Sequence, residues 1–191
     1  LNCFLAVCNA VAYAHSRGVI HRDLKPENVM LGAYGETLVV DWGLAKLVAD
    51  VPRPSDTGPP QSAPAALGLL QPASAEKVLP SQLGTAAGTV PYMSPEQAAG
   101  LVDQLGPASD IYSLGAVLYH CLAGHPPARG ETLMEVLRFI LSEPVVPPGE
   151  IVRGLPKTVE NICMKALEKD RNDRYESAAS MAEDLSRFRR G

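Results

Sequence analysis

The feature that most constrains the fold of this chain is a polar octapeptide, His21–Asn28, set between short apolar runs. Apolar runs of this length, bounded by polar or glycine-containing turns, are typical of brief strands. The runs lie at residues 19–20, 29–31 and 38–40. The triplet Asp41-Trp42-Gly43 comes directly after the third run, so Asp41 follows Asp23 by eighteen positions. Two acids and one amide, that of Asn28, therefore lie next to predicted strands.

This polar set has the chemistry of a phosphoryl-transfer site. The side chains of Asp23, Asn28 and Asp41 offer the oxygen ligands that hard divalent cations prefer. Lys25 supplies a cation that would balance phosphate charge. Each of these residues taken alone is more often an ordinary turn residue, and only their joint pattern favours a site.

Apolar residues at helical spacing predict five helices in the chain. The first runs from Leu1 to Arg17 and stops at Gly18, and a strongly apolar, buried helix begins beyond Pro107 and stops at Gly124. Three more are predicted at about residues 132–142, 157–168 and 177–189. Residues 32–35 include two glycines, so the second and third apolar runs form a hairpin. The pattern predicts a mostly helical chain with a small β element.

The octapeptide and the Asp41-Trp42-Gly43 triplet resemble the catalytic loop and the metal-binding motif of protein kinases. The resemblance implies that Asp23 accepts or orients the proton of the substrate hydroxyl. It implies that Asn28 and Asp41 bind the Mg²⁺ that accompanies ATP, and that Lys25 neutralises charge on the transferred phosphoryl group. Lysine at this place is similar to the serine/threonine branch of the family rather than the tyrosine branch.

The middle of the chain resembles the end of a kinase activation segment. Gly88-Thr89 and residues 92–96, which read Tyr-Met-Ser-Pro-Glu, are the matching residues. The resemblance places Thr89 in the platform that presents the protein substrate. It also places Arg22 where an arginine can pair with a phosphate on the activation segment. Residues 91–97 are similar in style to the bacterial members of the family.

Two charged residues further along resemble structural positions of the same family. Residues 110–115 look like the start of its buried central helix, where Asp110 would hydrogen-bond the backbone of the catalytic loop. Arg174 matches a late arginine that pairs with the glutamate found here at Glu96. A charged group is costly to bury unpaired, so both are expected to be structural.

The resemblance covers nearly the whole chain and implies an α+β fold, the mainly α-helical large (C-terminal) lobe of the protein-kinase-like fold with a small β element. Residues 1–191 would then be part of a protein kinase domain. The Gly-rich phosphate loop, strand lysine and partner glutamate of the N-terminal lobe do not occur in this sequence. We therefore expect the chain to be a piece of a longer protein, with the N-terminal lobe absent and negligible activity alone.

Two features depart from the family pattern. Trp42 replaces the usual phenylalanine. The activation segment, residues 41–96, is longer than usual and carries a Pro/Ala-rich insertion at about residues 51–83 that reads as a loop. The insertion is either a docking segment or a tolerated surface insertion, and loop-closure entropy permits both.

The implied function is transfer of the ATP γ-phosphoryl group to serine or threonine hydroxyls of protein substrates. One alternative is a pseudokinase-like module that binds proteins without catalysis, and another is a small-molecule kinase of related fold. The intact set of Asp23, Lys25, Asn28 and Asp41 argues against the first alternative. The platform pattern at Thr89–Glu96 argues against the second.

Composition narrows the classes of molecule that the chain is expected to bind. The net charge of -4 gives no general electrostatic reason to bind nucleic acid. Four cysteines at wide spacing without a CxxC pair predict buried thiols rather than a zinc site or a disulfide framework. No apolar stretch is long enough for a membrane span in this segment. We expect the catalytic portion to be cytoplasmic, and the sequence leaves the oligomeric state open.

Overall fold

The computed structural model describes residues 1–47 and 89–191 of the chain. The insertion predicted at about residues 51–83 lies outside the described residues. Within them, helices dominate and two small sheets carry the loops of interest. The predicted mainly α-helical architecture with a small β element is confirmed.

The long helices follow the apolar spacing of the sequence. In the described part of the chain the helices are α1 (Asn2–Ser16), α2 (Pro95–Ala98), α3 (Pro107–Ala123), α4 (Leu133–Ser142), α5 (Pro148–Ile151), α6 (Lys157–Ala166) and α7 (Ala178–Arg190). The five predicted helices are confirmed, and their ends lie within two residues of the prediction. Sequence analysis missed α2 and α5 because each is a single turn that begins at a proline and is too short to show a period.

Caps explain where the helices begin and end. The hydroxyls of Thr132 and Ser177 accept hydrogen bonds from backbone N–H groups in the first turns of α4 and α7. Both residues were predicted to be helical and instead precede the helix by one position. Pro107 occupies the first turn of α3, and Gly124 ends it with φ 80, a left-handed conformation that suits glycine.

Two antiparallel strand pairs form the β element. Strand β1 (Val19–Ile20) pairs with β4 (Lys46–Leu47), and β2 (Val29–Leu31) pairs with β3 (Thr37–Val39). The predicted hairpin is confirmed, with β3 starting one residue earlier than expected. The β1–β4 pair was not predicted, since a two-residue strand shows no alternation.

Helix α3 lies at the centre of the core, and every residue from Ser109 to Tyr119 is buried. It packs against α1 and α6, and α1 packs against α7. One apolar cluster joins the four helices through residues such as Val11, Leu114, Ile162 and Leu185. Helix α1 leads through β1 into the polar octapeptide, so the core fixes the position of that loop.

The four cysteines are free thiols with two different environments. Cys8 and Cys163 are buried, and burial raises the pKa of Cys8 to about 12. Cys3 and Cys121 are exposed, so the prediction of buried thiols is wrong for these two, which lie on outward-facing positions of α1 and α3. Across the described residues, none of the helices has the length and apolar character needed to traverse a bilayer.

Candidate active site

The octapeptide forms a loop that connects β1 to β2. Leu24, in its middle, is buried and contributes to the main core. Pro26–Asn28 forms one 3-10 turn, for which the fixed φ of Pro26 is well suited, and the chain then enters β2. With strands at both ends and Leu24 in the core, the polar side chains of this loop have fixed positions.

Three of the predicted site residues contact one another in the loop. Asp23 Oδ2 accepts hydrogen bonds from Lys25 Nζ at 2.8 Å and from Asn28 Nδ2 at 3.2 Å. Asn28 Nδ2 also donates to the backbone oxygen of Asp23 at 2.8 Å. The other carboxylate oxygen, Asp23 Oδ1, is buried and has no hydrogen-bond partner among the described residues. Its lone pairs are therefore unsatisfied, which is uncommon for a buried carboxylate oxygen.

The Asp41 side chain makes no hydrogen bond to this trio in the described part of the chain. Asp41 itself is exposed. Its backbone has φ 62, a left-handed conformation that is strained for a residue other than glycine. Val40 N–H donates to the Asn28 backbone oxygen at 2.9 Å, which ties the backbone before Asp41 to the loop. The backbone next to Asp41 is therefore held in place, while its carboxylate is exposed.

His21 joins the two polar segments. Its Nδ1 accepts the Asp23 backbone N–H at 3.3 Å, and its Nε2 lies 3.0 Å from the Val40 oxygen. Because Nδ1 accepts, we assign the ring proton to Nε2, which donates to Val40. The Trp42 ring packs on His21 with 4.5 Å between ring centroids, and Trp42 Nε1 donates to the Val39 oxygen at 3.0 Å. The tryptophan is thus accommodated against a histidine with a structural role.

Asp110, in the first turn of α3, holds the backbone of the loop. Its Oδ2 accepts the His21 N–H at 2.7 Å, and its Oδ1 accepts the Arg22 N–H at 2.8 Å. Asp110 is fully buried, so these charge-assisted bonds are shielded from water. They help to hold Arg22 at φ 71, a left-handed conformation that costs about 1 kcal/mol or more. The predicted contact of Asp110 with the loop backbone is confirmed.

The segment that begins at Thr89 reaches the same loop. Lys25 Nζ donates to Thr89 Oγ1 at 2.7 Å while also donating to Asp23. Tyr92 is buried, and its hydroxyl lies 2.6 Å from His120 Nδ1. Burial is the main cause that raises the pKa of Tyr92 to about 12, so its hydroxyl stays protonated at neutral pH and donates to His120. Lys25 therefore connects the octapeptide loop to the predicted substrate platform.

A buried ion pair closes the far end of this segment. Arg174 Nη1 and Nη2 donate to the two carboxylate oxygens of Glu96 at 2.9 and 3.0 Å. Burial by itself raises the pKa of Glu96, but the hydrogen bonds and charge of Arg174 outweigh it. The pKa therefore lies below its ordinary value of 4.5. The predicted pairing is confirmed, and it ties α2 to the segment before α7.

Sequence reasoning missed two residues that support the site. Gln97 Nε2, from α2, donates to the Arg22 backbone oxygen at 2.6 Å. His15 Nε2, from α1, lies 2.8 Å from Asp110 Oδ2. His15 follows Val11 by four residues on the buried stripe of α1, so a polar residue on an apolar stripe was the available signal. For Gln97 the available signal, a serine three residues earlier, indicates only a capping box with Ser94, and the structure contains that box.

Comparison with known proteins supports the resemblance. The protein kinase domain family matches residues 2–185. A probable serine/threonine-protein kinase PknB of Bifidobacterium longum is 36% identical over 187 residues, which cover 98% of this chain and 23% of that protein. Serine/threonine-protein kinase PknD of Protochlamydia amoebophila is 37% identical over 190 residues, which cover 98% of this chain and 18% of that protein. Serine/threonine-protein kinase PknB of Mycobacterium tuberculosis is 35% identical over 184 residues, which cover 96% of this chain and 25% of that protein.

The chain thus spans a quarter or less of the length of these curated relatives. Within the chain, however, the family match includes the octapeptide loop, Asp41, the Thr89–Glu96 segment and Arg174. On this match, and with relatives named as bacterial serine/threonine-protein kinases, the chain belongs to the protein kinase domain family.

Proposed function

We propose that this chain supplies the catalytic loop, the metal-binding aspartate and the substrate platform of a serine/threonine protein kinase. The reaction is transfer of the γ-phosphoryl group of ATP to a serine or threonine hydroxyl of a protein. Besides the family match, one contact carries the proposal, the bridge that Lys25 makes between Asp23 and Thr89.

The bridge is informative because it joins two residues with different proposed roles. Asp23 is the proposed acceptor of the hydroxyl proton, and Thr89 belongs to the segment proposed to present the hydroxyl. Lys25 Nζ holds oxygens of both at 2.8 and 2.7 Å, so a positive charge lies between them. Catalysis of phosphoryl transfer depends on such positioning and on charge stabilisation more than on covalent chemistry.

Asp23 is suited to the role of base by the way its carboxylate is held. Lys25 and Asn28 both donate to Oδ2 and so fix the orientation of the group. Oδ1 keeps its lone pairs free of partners from the described residues. A carboxylate that is fixed at one oxygen and free at the other accepts a proton from a defined direction.

Asn28 and Asp41 are the proposed ligands of Mg²⁺, and with Lys25 they would bind MgATP. Their donor set fits the ion, because Asn28 uses its amide nitrogen for Asp23 and the Asp41 carboxylate is exposed. Mg²⁺ typically takes one or two carboxylates together with waters and substrate phosphates, rather than a complete protein cage. When bound, the ion neutralises phosphate charge.

Two substitutions test these roles in the protein expressed from its complete reading frame. Asp23→Asn removes the base and Asp41→Asn removes a charged ligand, and each is expected to lower kcat for a serine/threonine peptide about 100-fold or more. Asp103→Asn is the matched control, since Asp103 is an exposed aspartate in a turn before α3. Thermal unfolding of each variant checks that the fold is intact.

The outcomes separate the competing functions. Normal transfer by folded Asp41→Asn would refute the assignment of Asp41. Transfer to an aminoglycoside or choline but not to a peptide overturns the protein-kinase proposal in favour of a small-molecule kinase. A wild-type protein that binds other proteins without any transfer overturns it in favour of a binding module. The same assay on residues 1–191 alone tests the expectation that they form one lobe with negligible activity by itself.

A further inference from the structure

We infer that Lys169 is a site of covalent acylation by acyl phosphates, outside the proposed active site. Lys169 lies in the connection between α6 and α7, and its side chain is half-buried. Its Nζ donates to the backbone oxygens of Phe139 and Ile140, in the last turn of α4, at 3.2 and 2.8 Å. Lys169 also lines a cavity of about 290 Å³ between α2, α4 and this connection. A half-buried amine and a space that can admit a small molecule therefore occur together.

The two hydrogen bonds of Lys169 suit the neutral form of its amine. A lysine ammonium has three N–H donors and no lone pair, whereas the neutral amine has two donors and one lone pair. The oxygens of Phe139 and Ile140 satisfy two donors, and a third has no acceptor among the described residues. In the neutral form both donors are used, and the lone pair is left to attack an electrophile.

The charges around Lys169 also favour the neutral amine. The ion pairs formed within residues 1–47 and 89–191 do not include Lys169. Burial, followed by the charge of Arg174, lowers its pKa from 10.5 to about 8, and the charge of Glu143 acts in the opposite direction. At pH 7.5 about a quarter of such a lysine is neutral, compared with about one molecule in a thousand for a pKa of 10.5.

The cavity offers a cation for the phosphate end of an acyl phosphate. Its other charged residues are Glu96, Asp170 and Arg171. Glu96 is paired with Arg174, and the Asp170 carboxylate accepts two hydrogen bonds from Asn172. Arg171 is exposed and donates a single hydrogen bond within the described structure. Its remaining N–H groups can therefore hold a phosphate oxygen.

The reaction needs no further reactant. The Nζ lone pair attacks the acyl carbon, a C–N bond forms, and the C–O bond to phosphate breaks. Phosphate leaves with the electron pair of that bond, and the nitrogen releases one proton to water. The product is an uncharged amide.

The fold can accept this amide, which keeps one N–H. The Phe139 oxygen also accepts the Glu143 N–H at 3.1 Å, so it retains a donor when Lys169 leaves it. The Ile140 oxygen depends on Lys169 more, because Pro144, four positions later, has no N–H to donate. The remaining N–H of the acylated lysine can stay with Ile140.

Acetyl phosphate is the probe, applied at pH 7.5 to the protein expressed from its complete reading frame. Unreacted lysines are then labelled with deuterated acetic anhydride, and mass spectrometry of the peptides gives the acetylated fraction of each lysine over time. The initial rate at Lys169 is expected to exceed that at Lys165 and Lys157, two exposed lysines of α6, by about 10-fold or more. The larger neutral fraction outweighs the losses from partial burial and from the lower nucleophilicity that accompanies a lower pKa.

The pH dependence and a charge variant test the cause of this reactivity. The rate at Lys169 is expected to level off above about pH 8, where most of the amine is neutral. Leu141→Glu places a carboxylate in the same cavity and is expected to slow acetylation of Lys169 about 3-fold or more at pH 7.5. Leu141→Gln, which adds no charge, should keep the wild-type rate. Leu141 is exposed, and thermal unfolding checks that both variants are folded.

A second variant tests the phosphate contact. Arg171→Gln is expected to slow acetylation of Lys169 by acetyl phosphate about 3-fold or more, but not acetylation by p-nitrophenyl acetate, an uncharged ester. Arg153→Gln is the control, because Arg153 is exposed and does not line the cavity. It should leave both rates unchanged.

An initial rate at Lys169 no higher than at Lys165 and Lys157 would overturn the inference. So would a rate at Lys169 that continues to rise steeply from pH 8 to pH 10. An Arg171→Gln variant that reacts like the wild type with acetyl phosphate, or is slowed equally with both reagents, would overturn the choice of an acyl phosphate as the donor. No step of this experiment measures phosphoryl transfer, so its outcome does not depend on the proposed function.

Discussion

Individual residues around the loop are held in conformations that need support. Arg22 and Asp41 are the non-glycine residues with positive φ in residues 1–47 and 89–191, and both lie at the proposed site. Strained backbone of this kind persists only where its surroundings determine it. Asp110 supplies that support for Arg22, and the hydrogen bond from Val40 to Asn28 supplies it beside Asp41. The strained backbone lowers stability locally, and it occurs next to the side chains of the proposed site.

Lys169 provides a test of residue-level electrostatics. Its Nζ donates to the backbone oxygens of Phe139 and Ile140, in the last turn of α4, at 3.2 and 2.8 Å. Burial, followed by the charge of Arg174, lowers the pKa of Lys169 to about 8 from 10.5. Between pH 8 and pH 10.5 the Lys169 side chain carries the proton in the unfolded chain but not in the folded chain. The contribution of Lys169 to the free energy of unfolding therefore rises with pH.

We therefore expect the stability of wild type relative to Lys169→Met to increase by about 1 kcal/mol from pH 7.5 to pH 9.5, after allowance for partial exposure. Urea unfolding at several pH values measures the difference. Lys165→Met is the control, because Lys165 is an exposed lysine on α6. A flat or falling difference for Lys169→Met would contradict the shifted pKa.

At the level of elements, local patterns determined what the sequence could predict. A helical period is visible in the sequence of a helix that buries one face, as α1 does. The same holds for α4, α6 and α7. Helix α3 is buried on nearly all sides and is visible instead as a strongly apolar segment. Helices α2 and α5 are single turns, and β4 has two residues, so no period exists to detect. The contacts among Asp23, Lys25 and Asn28 were predictable because the residues lie within one loop.

The contact of His15 with Asp110 spans 95 positions and depends on how α1 packs on α3, which local pattern does not specify. The same holds for Gln97, whose side chain reaches the Arg22 backbone 75 positions away. The pairing of Glu96 with Arg174 was predicted only through the family resemblance, since neither residue shows its partner locally. Long-range polar contacts are thus the part of the site that local sequence pattern, without the family resemblance, did not reveal.

The Glu96–Arg174 pair is a buried ion pair that links α2 to the segment before α7. Arg174 makes five hydrogen bonds, two to Glu96 and three to the backbone oxygens of Ala108, Glu168 and Lys169. Arg174→Met leaves Glu96 as a buried unpaired charge and is expected to cost about 3–5 kcal/mol in the free energy of unfolding. Urea unfolding at neutral pH measures this cost.

Two further results check the cause of that loss. Arg171→Met should change stability by less than about 0.5 kcal/mol, because Arg171 is exposed and donates only to the Gln104 oxygen among the described residues. The folded-state pKa of Glu96 is lowered, so the stabilisation by the pair is present above its ordinary value of 4.5 and is lost as pH falls through the lowered pKa. An equal loss for both arginine variants would argue against a specific buried pair.

At the scale of the described molecule, α3 is the central element, against which α1, α5 and α6 pack. It presents Asp110 to the octapeptide loop at one end and Tyr119 to the chain before α5 at the other. Gly115 lies against α6, and its backbone oxygen accepts a hydrogen bond from Cys163 Sγ at 3.6 Å. Because the helices share one apolar cluster, a change in this approach should affect the stability of the entire lobe.

Gly115→Ala tests that dependence with a substitution that helix propensity alone would favour. A Cβ at Gly115 would lie 2.8 Å from Ala166 Cβ and 3.1 Å from Leu167 Cγ, so α6 must shift. We expect a loss of about 1–3 kcal/mol in unfolding free energy, although alanine is about 1 kcal/mol better than glycine inside a helix. In an Ala166→Gly background the opposing methyl is absent, so adding Gly115→Ala should cost less than it does in the wild type. Equal costs in the two backgrounds would show that the helices do not meet at this glycine, whereas a smaller cost locates the contact that sets the spacing of α3 and α6.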